Sequence, residues 1–217
     1  MPTAREALLD AASAALAGLP WSAVRMVDVA SAAGLSRQTL YNEFGSKDGL
    51  ARALVRREAD AYLRGVEHIL ADRPHRTDPL VSVAEWTVSQ AHGRPLLRAL
   101  LTGCWGERLP APRPARTPGA APGPPRARAQ RRADAGPPAP GELAAEVWER
   151  SRAALERGGA HGRSVQETCA LAHRCELAVR LALSYVVAPG GEGVGVLVRT
   201  ACGGPDVSGT SPRAGDR

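Results

Sequence analysis

The apolar residues of the chain recur every three to four positions over most of its length, and this spacing predicts an all-α fold. Leu8, Ala12 and Leu16 repeat every four residues, so positions 3–17 form a first helix that ends at Gly18-Leu19-Pro20. The same spacing, interrupted by Gly and Pro, predicts later helices over 47–70, 79–92, 95–102, 142–157 and 165–188.

Between positions 24 and 44 the pattern predicts two short helices separated by a tight turn. One face of the first helix carries its apolar residues: Val29, Ala30 and Ala33. Gly34 follows where a left-handed backbone commonly ends a helix, and Leu35 can fold back onto that helix. Ser36 can then cap the free amides at the start of the next helix.

The second of these helices separates apolar residues from polar ones. Leu40 and Phe44 lie four residues apart and point inward. The outward residues carry a cation, amides and hydroxyls: Arg37, Gln38, Thr39, Tyr41 and Asn42. Such groups contact base edges and phosphates in the major groove of DNA. The stretch therefore predicts a helix-turn-helix, although an ordinary helical hairpin with a glycine turn shares its backbone pattern.

Three further features narrow this prediction. Ala33-Gly34-Leu35-Ser36 forms the turn, Thr39-Leu40-Tyr41 is followed by Phe44, and Lys47-Asp48-Gly49-Leu50 begins the fourth helix. In these features the chain resembles the TetR/AcrR transcriptional regulators, densely over 24–50 and more weakly over 3–70.

The resemblance implies a head of three helices that binds DNA, a connecting fourth helix and a helical body for ligand binding and dimerisation. It further implies a homodimer on a palindromic operator in double-stranded DNA, and a repressor that leaves DNA when a small-molecule effector moves the fourth helix. The candidate DNA-binding residues are Arg25, Ser36, Arg37, Gln38, Thr39, Tyr41, Asn42 and Lys47. Arg37 and Gln38 are the candidates for base edges, and Arg25 stands where the family usually has Thr or Ser.

Two residues of the fourth helix, Lys47 and Gly65, are unfavourable at their positions in a helix. Lys47 places a cation in the first helical turn, where it opposes the helix dipole, and this indicates a phosphate partner. A solvated lysine is the alternative. Gly65 lowers the helix propensity and is expected to loosen the helix midway.

Between 107 and 141 the composition differs from that of the predicted helices. Ten of the 18 prolines lie between Pro110 and Pro140, and the larger apolar residues are missing there, so we expect disorder. Between Arg108 and Gly141, seven arginines and one aspartate account for the entire net charge of +6, so the total charge is no argument for DNA binding. A flexible linker is the favoured interpretation; a basic arm that holds DNA loosely and an out-of-frame translation are the others.

In the second half, apolar positions of the helix over 165–188 cover more than one face, so it should be buried on two sides. By resemblance, the last two long helices pair with those of a second copy. Candidate effector-pocket residues are Trp86, Trp105, Trp148 and Tyr185, for each of which core packing is the simpler explanation. At most one short turn is expected over 192–201.

The expected organisation therefore has five parts. They are the head at 1–46, the connecting helix and first part of the body at 47–106, the Pro/Arg/Ala-rich segment at 107–141, the dimerisation helices at 142–189 and a flexible tail at 190–217.

The remaining patterns argue against enzymes, cofactors and membranes. No catalytic motif is present, and the four cysteines lack the C-x-x-C spacing of a zinc or redox site. Cys169 and His173 lie one helical turn apart, but they are expected to be core residues and not metal ligands. Without a long apolar run or a signal peptide, the expected location is the cytoplasm. The alternative function is a helical adaptor or sensor with a degenerate head that does not bind DNA.

Overall fold

The computed structural model describes residues 2–72, 78–112, 138–158 and 164–202, and in these ranges all regular structure is helical. The expectations for 113–137 lie outside the described residues. The helices are α1 (Ala4–Gly18), α2 (Met26–Ala32), α3 (Arg37–Phe44), α4 (Lys47–Ala71), α5 (Pro79–Gly93), α6 (Pro95–Thr102), α7 (Pro140–Arg157), α8 (Val165–Val187) and α9 (Val194–Cys202). The expected all-α fold is confirmed.

The first three helices and the start of α4 form the head around one apolar cluster. Leu8 and Ala12 of α1 are fully buried, as predicted from their spacing, and they pack with Val29 of α2, Leu40 of α3 and Leu54 of α4. Helix α1 begins at a capping box, because Thr3 accepts a hydrogen bond from the Glu6 amide and the Glu6 carboxylate accepts one from the Thr3 amide.

The body surrounds the second half of α4. Val66 of α4, Leu97 of α6 and Leu143 of α7 are fully buried in its larger cluster. A second cluster lies between α5, α8 and α9, around Cys175 and Val198. The predicted helix starts of α5 and α8 are confirmed: Asp78 accepts a hydrogen bond from the Leu80 amide, and Ser164 and Glu167 form a capping box.

Gly65 does not loosen α4, contrary to expectation. The helix is continuous from Lys47 to Ala71, and Gly65 provides the space in which the indole of Trp86 packs against the α4 backbone. Trp86 in turn stacks on Tyr62 at a ring-centroid distance of 5.5 Å. The absence of a side chain at position 65 is therefore a packing requirement.

The edges of the Pro/Arg-rich segment are ordered, which corrects the boundaries expected at 107 and 141. Helix α7 begins at Pro140, a residue that suits the first helical position, and the Ala139 amide donates to Glu142 Oε2 at 2.8 Å. At the other edge, Pro110 is buried and the Arg108 carbonyl accepts a hydrogen bond from the Trp21 amide at 2.9 Å. Residues 107–112 thus extend the body to the head.

The flexible tail expected at 190–217 is also wrong in its first part. Instead of one short turn, Val194–Cys202 forms the helix α9, with Val194, Val198 and Cys202 buried against α5 and α8. These apolar residues recur every four positions, and their burial outweighs the low helix propensity of the neighbouring glycines. Residues 203–217 lie outside the described ranges.

The four cysteines are free thiols. Burial raises the pKa of the Cys175 thiol to about 11, so it is neutral and unreactive near neutral pH. Cys169 and His173 were expected in the core, but both are exposed: residues 164–170 are exposed throughout, and His173 lies between the buried Leu171 and Cys175 on a more exposed side of the helix. Among the described residues, no group of three or more His, Cys, Asp or Glu side chains could hold a metal ion. No helix of the described ranges is both long and apolar enough to span a bilayer.

Replacing Gly65 by Ala should destabilise the protein. An added Cβ would lie 2.3 Å from the Trp86 ring, so the indole must shift. We expect this overpacking, typically about 1–3 kcal/mol, to exceed the helix-propensity gain of about 1 kcal/mol. Gly93→Ala is the matched control, since nothing lies within 4 Å of the place that its Cβ would take. Urea unfolding would contradict the packing argument if Gly65→Ala were as stable as Gly93→Ala.

Candidate nucleic-acid interface

The turn between α2 and α3 has the geometry predicted from its glycine. Gly34 adopts φ +67°, the left-handed conformation in which glycine avoids a Cβ penalty. Its amide donates to the Ser31 carbonyl at 3.0 Å, and the Leu35 amide donates to the Ala30 carbonyl at 2.9 Å. This pair of bonds is the Schellman motif, which fixes the direction in which the chain leaves α2.

Helix α3 begins at the predicted cap and has the predicted inner face. The Ser36 hydroxyl accepts a hydrogen bond from the Thr39 amide at 3.0 Å. Leu40 and Phe44 are buried in the head cluster. Because α3 has only eight residues, it depends on these two anchors and its cap for its position.

The outward face of α3 carries two polar pairs. The Gln38 amide donates to Asn42 Oδ1 at 2.8 Å, and the Ser36 and Thr39 hydroxyls lie 2.8 Å apart. Gln38 and Asn42 are exposed. Each side chain of the first pair keeps further donors and acceptors for base edges or phosphates, since an amide group has four hydrogen-bonding sites.

Four of the predicted site residues line one shallow concavity of about 330 Å³ beside this face: Arg25, Arg37, Tyr41 and Lys47. The Arg37 guanidinium lies over the Tyr41 ring, 5.3 Å from its centroid. None of the described residues that line the concavity is acidic. Three cations around one hollow produce a local positive potential suited to an anion such as a phosphate.

The cations at the rim have partners within the head. Arg25 occupies the N-cap position before α2 without a side-chain cap hydrogen bond, and its guanidinium lies 3.3 Å from Asp28. Lys47 donates to the Ser22 carbonyl at 3.1 Å and lies over the ring of Trp21. Lys47 is therefore held in place and not freely solvated. Sequence reasoning missed this feature because Trp21, in the loop before α2, lies 26 residues before Lys47.

The four aromatic residues proposed for an effector pocket do not converge on one cavity. Trp86 covers Gly65, and Trp105 packs against the edge of the body core. The Trp148 indole donates to the Ala172 carbonyl at 3.1 Å, and the Tyr185 hydroxyl donates to the Glu192 carbonyl. The four side chains have different partners in different parts of the body, which corrects their grouping as one pocket.

A different set of residues encloses a cavity inside the body. Its walls are mostly aliphatic, and three hydroxyl side chains interrupt them: Tyr62, Thr87 and Ser151. The Tyr62 and Thr87 hydroxyls lie 3.0 Å apart. Burial raises the pKa of Tyr62 to about 12, so this hydroxyl is neutral near neutral pH. The cavity measures about 10 Å³, room for a single water molecule.

Sequence reasoning missed these hydroxyl residues, although a signal was present. Thr87 and Ser151 occupy positions in the apolar stripes of their helices, where a polar side chain has to find a buried partner. Ser151 donates to the Val147 carbonyl one turn earlier at 2.9 Å.

Comparison with known proteins agrees with this geometry. Residues 8–54 match the model of the family described as bacterial regulatory proteins, tetR family. The HTH-type transcriptional regulator AlkX of Mycobacterium tuberculosis is 39% identical over 100 residues, which are 46% of this chain and 47% of that protein. The aligned region thus spans about half the length of this curated relative.

A solved structure has the same fold over most of the chain. It is the TetR family repressor AlkX from a Dietzia strain, implicated in biodegradation of n-alkanes. The TM-score is 0.51 at 24% identity, and the match covers 91% of this chain and 92% of that chain. The likeness extends the shared architecture beyond the head to the helical body.

Replacing Gly34 by Ala should destabilise the head. Alanine at φ +67° meets a left-handed backbone penalty of about 1–2 kcal/mol. Gly18→Ala is the control, because Gly18 ends α1 without a positive φ and has open space around its Cβ position. Thermal unfolding should show a lower Tm for Gly34→Ala and an unchanged or higher one for Gly18→Ala; equal values for the two variants would contradict the left-handed turn.

Proposed function

We propose that this chain, whose residues 8–54 match the model of the tetR family of bacterial regulatory proteins, is a sequence-specific DNA-binding transcriptional repressor that responds to a small molecule. The observation that carries the proposal is the exposed polar face of α3 beside the concavity formed by Arg25, Arg37 and Lys47. A short helix with buried anchors and an outward face of amides, hydroxyls and one arginine fits a major groove.

The proposed contacts divide by chemistry. Arg37 and Gln38 stand at the start of α3, the part of a recognition helix that reaches base edges. Lys47 and Arg25, at the rim of the concavity, are assigned to phosphates. Ser36, Thr39, Tyr41 and Asn42 make phosphate or mixed contacts.

The repressor acts as a homodimer on a palindromic operator, with the interface on α7 and α8. The outer surfaces of these helices form a groove lined mostly by small or apolar residues, among them Gly141, Ala144, Ala145 and Leu183. Two charged side chains also line it, Glu176 and Arg180, and they form an ion pair with each other. Val187 at the end of α8 is 62% exposed. Small residues let helices approach closely, and exposed apolar surface favours burial against a second copy. Two heads then meet successive major grooves about one helical turn apart.

The effector enters the body at the cavity beside Tyr62. None of the described residues lining this cavity is charged, so the part of the effector that enters is uncharged and mainly apolar. Tyr62 and Thr87 have two hydroxyl hydrogens and use one between themselves, so an effector oxygen can accept the other. The cavity must widen to admit such a molecule, and Tyr62 lies on α4, the helix that carries the head. Widening it therefore changes the spacing of the two heads.

A selection from a pool of randomised DNA duplexes tests the central proposal. The purified full chain should enrich a palindromic sequence, and a gel shift with that duplex should weaken as salt rises, because phosphate contacts release counterions. The competing function, an adaptor or sensor with a degenerate head, predicts that no sequence is enriched at any salt concentration. That result would remove the repressor proposal.

The variant Arg37→Ala should lose discrimination at one base position of the enriched sequence. If the Arg37 guanidinium contacts a guanine, the loss is worth about 1–3 kcal/mol at that position only. Arg64→Ala removes the same charge from an exposed position of α4 and should leave every base preference unchanged. Uniform weakening across all sequences by Arg37→Ala would instead assign Arg37 to a phosphate.

The variant Ala145→Arg should separate the dimer. Ala145 is exposed in the α7–α8 groove, where an arginine would add a second cation to Arg180 and put a long side chain into the interface. Ala14→Arg, at an exposed position of α1 in the head, is the control. Sedimentation should give a monomer mass for Ala145→Arg and a dimer mass for the wild type and the control; an unchanged dimer would move the interface elsewhere.

A further inference from the structure

The segment that follows α6 reaches from the body to the head. We call residues 103–112 the strap. It begins where Gly103, at φ +72°, ends α6, and Trp105 packs against the edge of the body core. Two short turns follow, with hydrogen bonds from Leu109 to the Gly106 carbonyl and from Ala111 to the Leu109 carbonyl. Pro110 is buried, so the strap lies against the protein at its far end.

The strap holds the loop between α1 and α2. The Trp21 amide donates to the Arg108 carbonyl at 2.9 Å. Trp21 is half-buried and packs against the head cluster. The head is therefore attached to the body in two ways: covalently through α4, and non-covalently through the strap and Trp21.

The indole ring of Trp21, whose backbone the strap holds, also contacts Lys47. The Lys47 ammonium lies 5.2 Å from the ring centroid and donates to the carbonyl of the neighbouring Ser22 at 3.1 Å. A cation in the first turn of α4 is unfavourable with respect to the helix dipole. The negative face of the indole and the Ser22 carbonyl compensate for this, so both keep the ammonium beside the concavity.

We propose that the strap and Trp21 position Lys47 for a DNA phosphate, so that the body controls one of the DNA contacts of the head directly. The inference rests on the proposed function. Of the three N–H donors of Lys47, one is used on Ser22, which leaves donors for a phosphate oxygen. Because the side chain is already ordered in the free protein, it loses less rotamer freedom when DNA binds.

The origin of the strap places its other end close to the proposed effector cavity. Leu101 of α6 lines that cavity, and the strap starts at Gly103, two residues later. A molecule that displaces α6 at Leu101 thus also displaces the strap, and the effect reaches Lys47 without requiring α4 to bend.

A double-mutant cycle separates positioning from simple packing. The duplex enriched from the randomised pool is titrated against the full chain, Trp21→Leu, Lys47→Met and the double variant at several salt concentrations. The plot of log affinity against log salt has a negative slope, and Lys47→Met should make it shallower by about 1 per head. Trp21→Leu should weaken binding about two- to fivefold per head when Lys47 is present, the size of an exposed cation–π contact, and have no further effect in Lys47→Met.

A second pair of variants tests the strap itself. Pro110→Gly loosens its buried end and should reduce affinity only in the presence of Lys47, as Trp21→Leu does. Pro189→Gly, at an exposed position after α8, is the control for the loss of a proline and should leave affinity unchanged. Trp21→Phe retains an aromatic face and should recover most of the affinity lost in Trp21→Leu.

The outcomes distinguish this inference from the proposed function. If the wild type binds the duplex but Trp21→Leu weakens binding equally in the presence of Lys47 and in the Lys47→Met background, Trp21 is only a packing residue and the inference is wrong. The same conclusion follows if Trp21→Leu reduces affinity only in proportion to a lower Tm and Trp21→Phe does not rescue it. If the wild type binds no duplex, the proposed function fails and the inference falls with it.

Discussion

The architecture depends on one helix that belongs to two hydrophobic cores. Leu50 and Leu54 at the start of α4 are buried in the head, whereas Tyr62 and Val66 further along are buried in the body. With 25 residues, α4 is about 37 Å long, and its continuous hydrogen bonding makes it stiff. A displacement of the body end therefore reappears at the head end. The fold therefore couples the head and the body through the apolar residues that α4 buries in each of them.

Local chemistry explains why much of this fold could be predicted from the sequence. The Gly34 turn and the caps at Ser36, Ser46, Asp78 and Ser164 involve residues within four positions of one another, so the sequence alone contains all of the interacting groups. The same holds for the anchors Leu40 and Phe44, whose spacing matches the helical repeat. Most candidate DNA-binding residues followed from these anchors, because fixing the inner face of α3 also fixes its outer face.

Long-range contacts explain what the sequence could not predict. Gly65 resembles a weak point in a helix until Trp86, 21 residues later, is seen to pack against it. The Tyr62 and Thr87 hydroxyls, and the Lys47 ammonium over Trp21, likewise join residues that are far apart in sequence. The four aromatic residues grouped as a pocket were chosen for their size, but size is equally useful between two helices. Sites that depend on tertiary packing therefore emerged only from the structure.

The charge distribution of the head shows how a nearly neutral domain can present a cationic surface. Residues 1–70 contain eight basic and eight acidic side chains, so the head and α4 have no excess charge. Several acids are paired away from the concavity: Asp10 lies 2.6 Å from Arg57 of α4, and Glu43 lies 3.6 Å from Arg5 of α1. Arg37 and Lys47 remain directed at the hollow beside α3. Interactions between exposed charges fade beyond a Debye length of about 10 Å, so a bound phosphate responds to this local arrangement more than to the net charge of the chain. The position of each cation, set by Tyr41 and Trp21, therefore matters more than the number of cations.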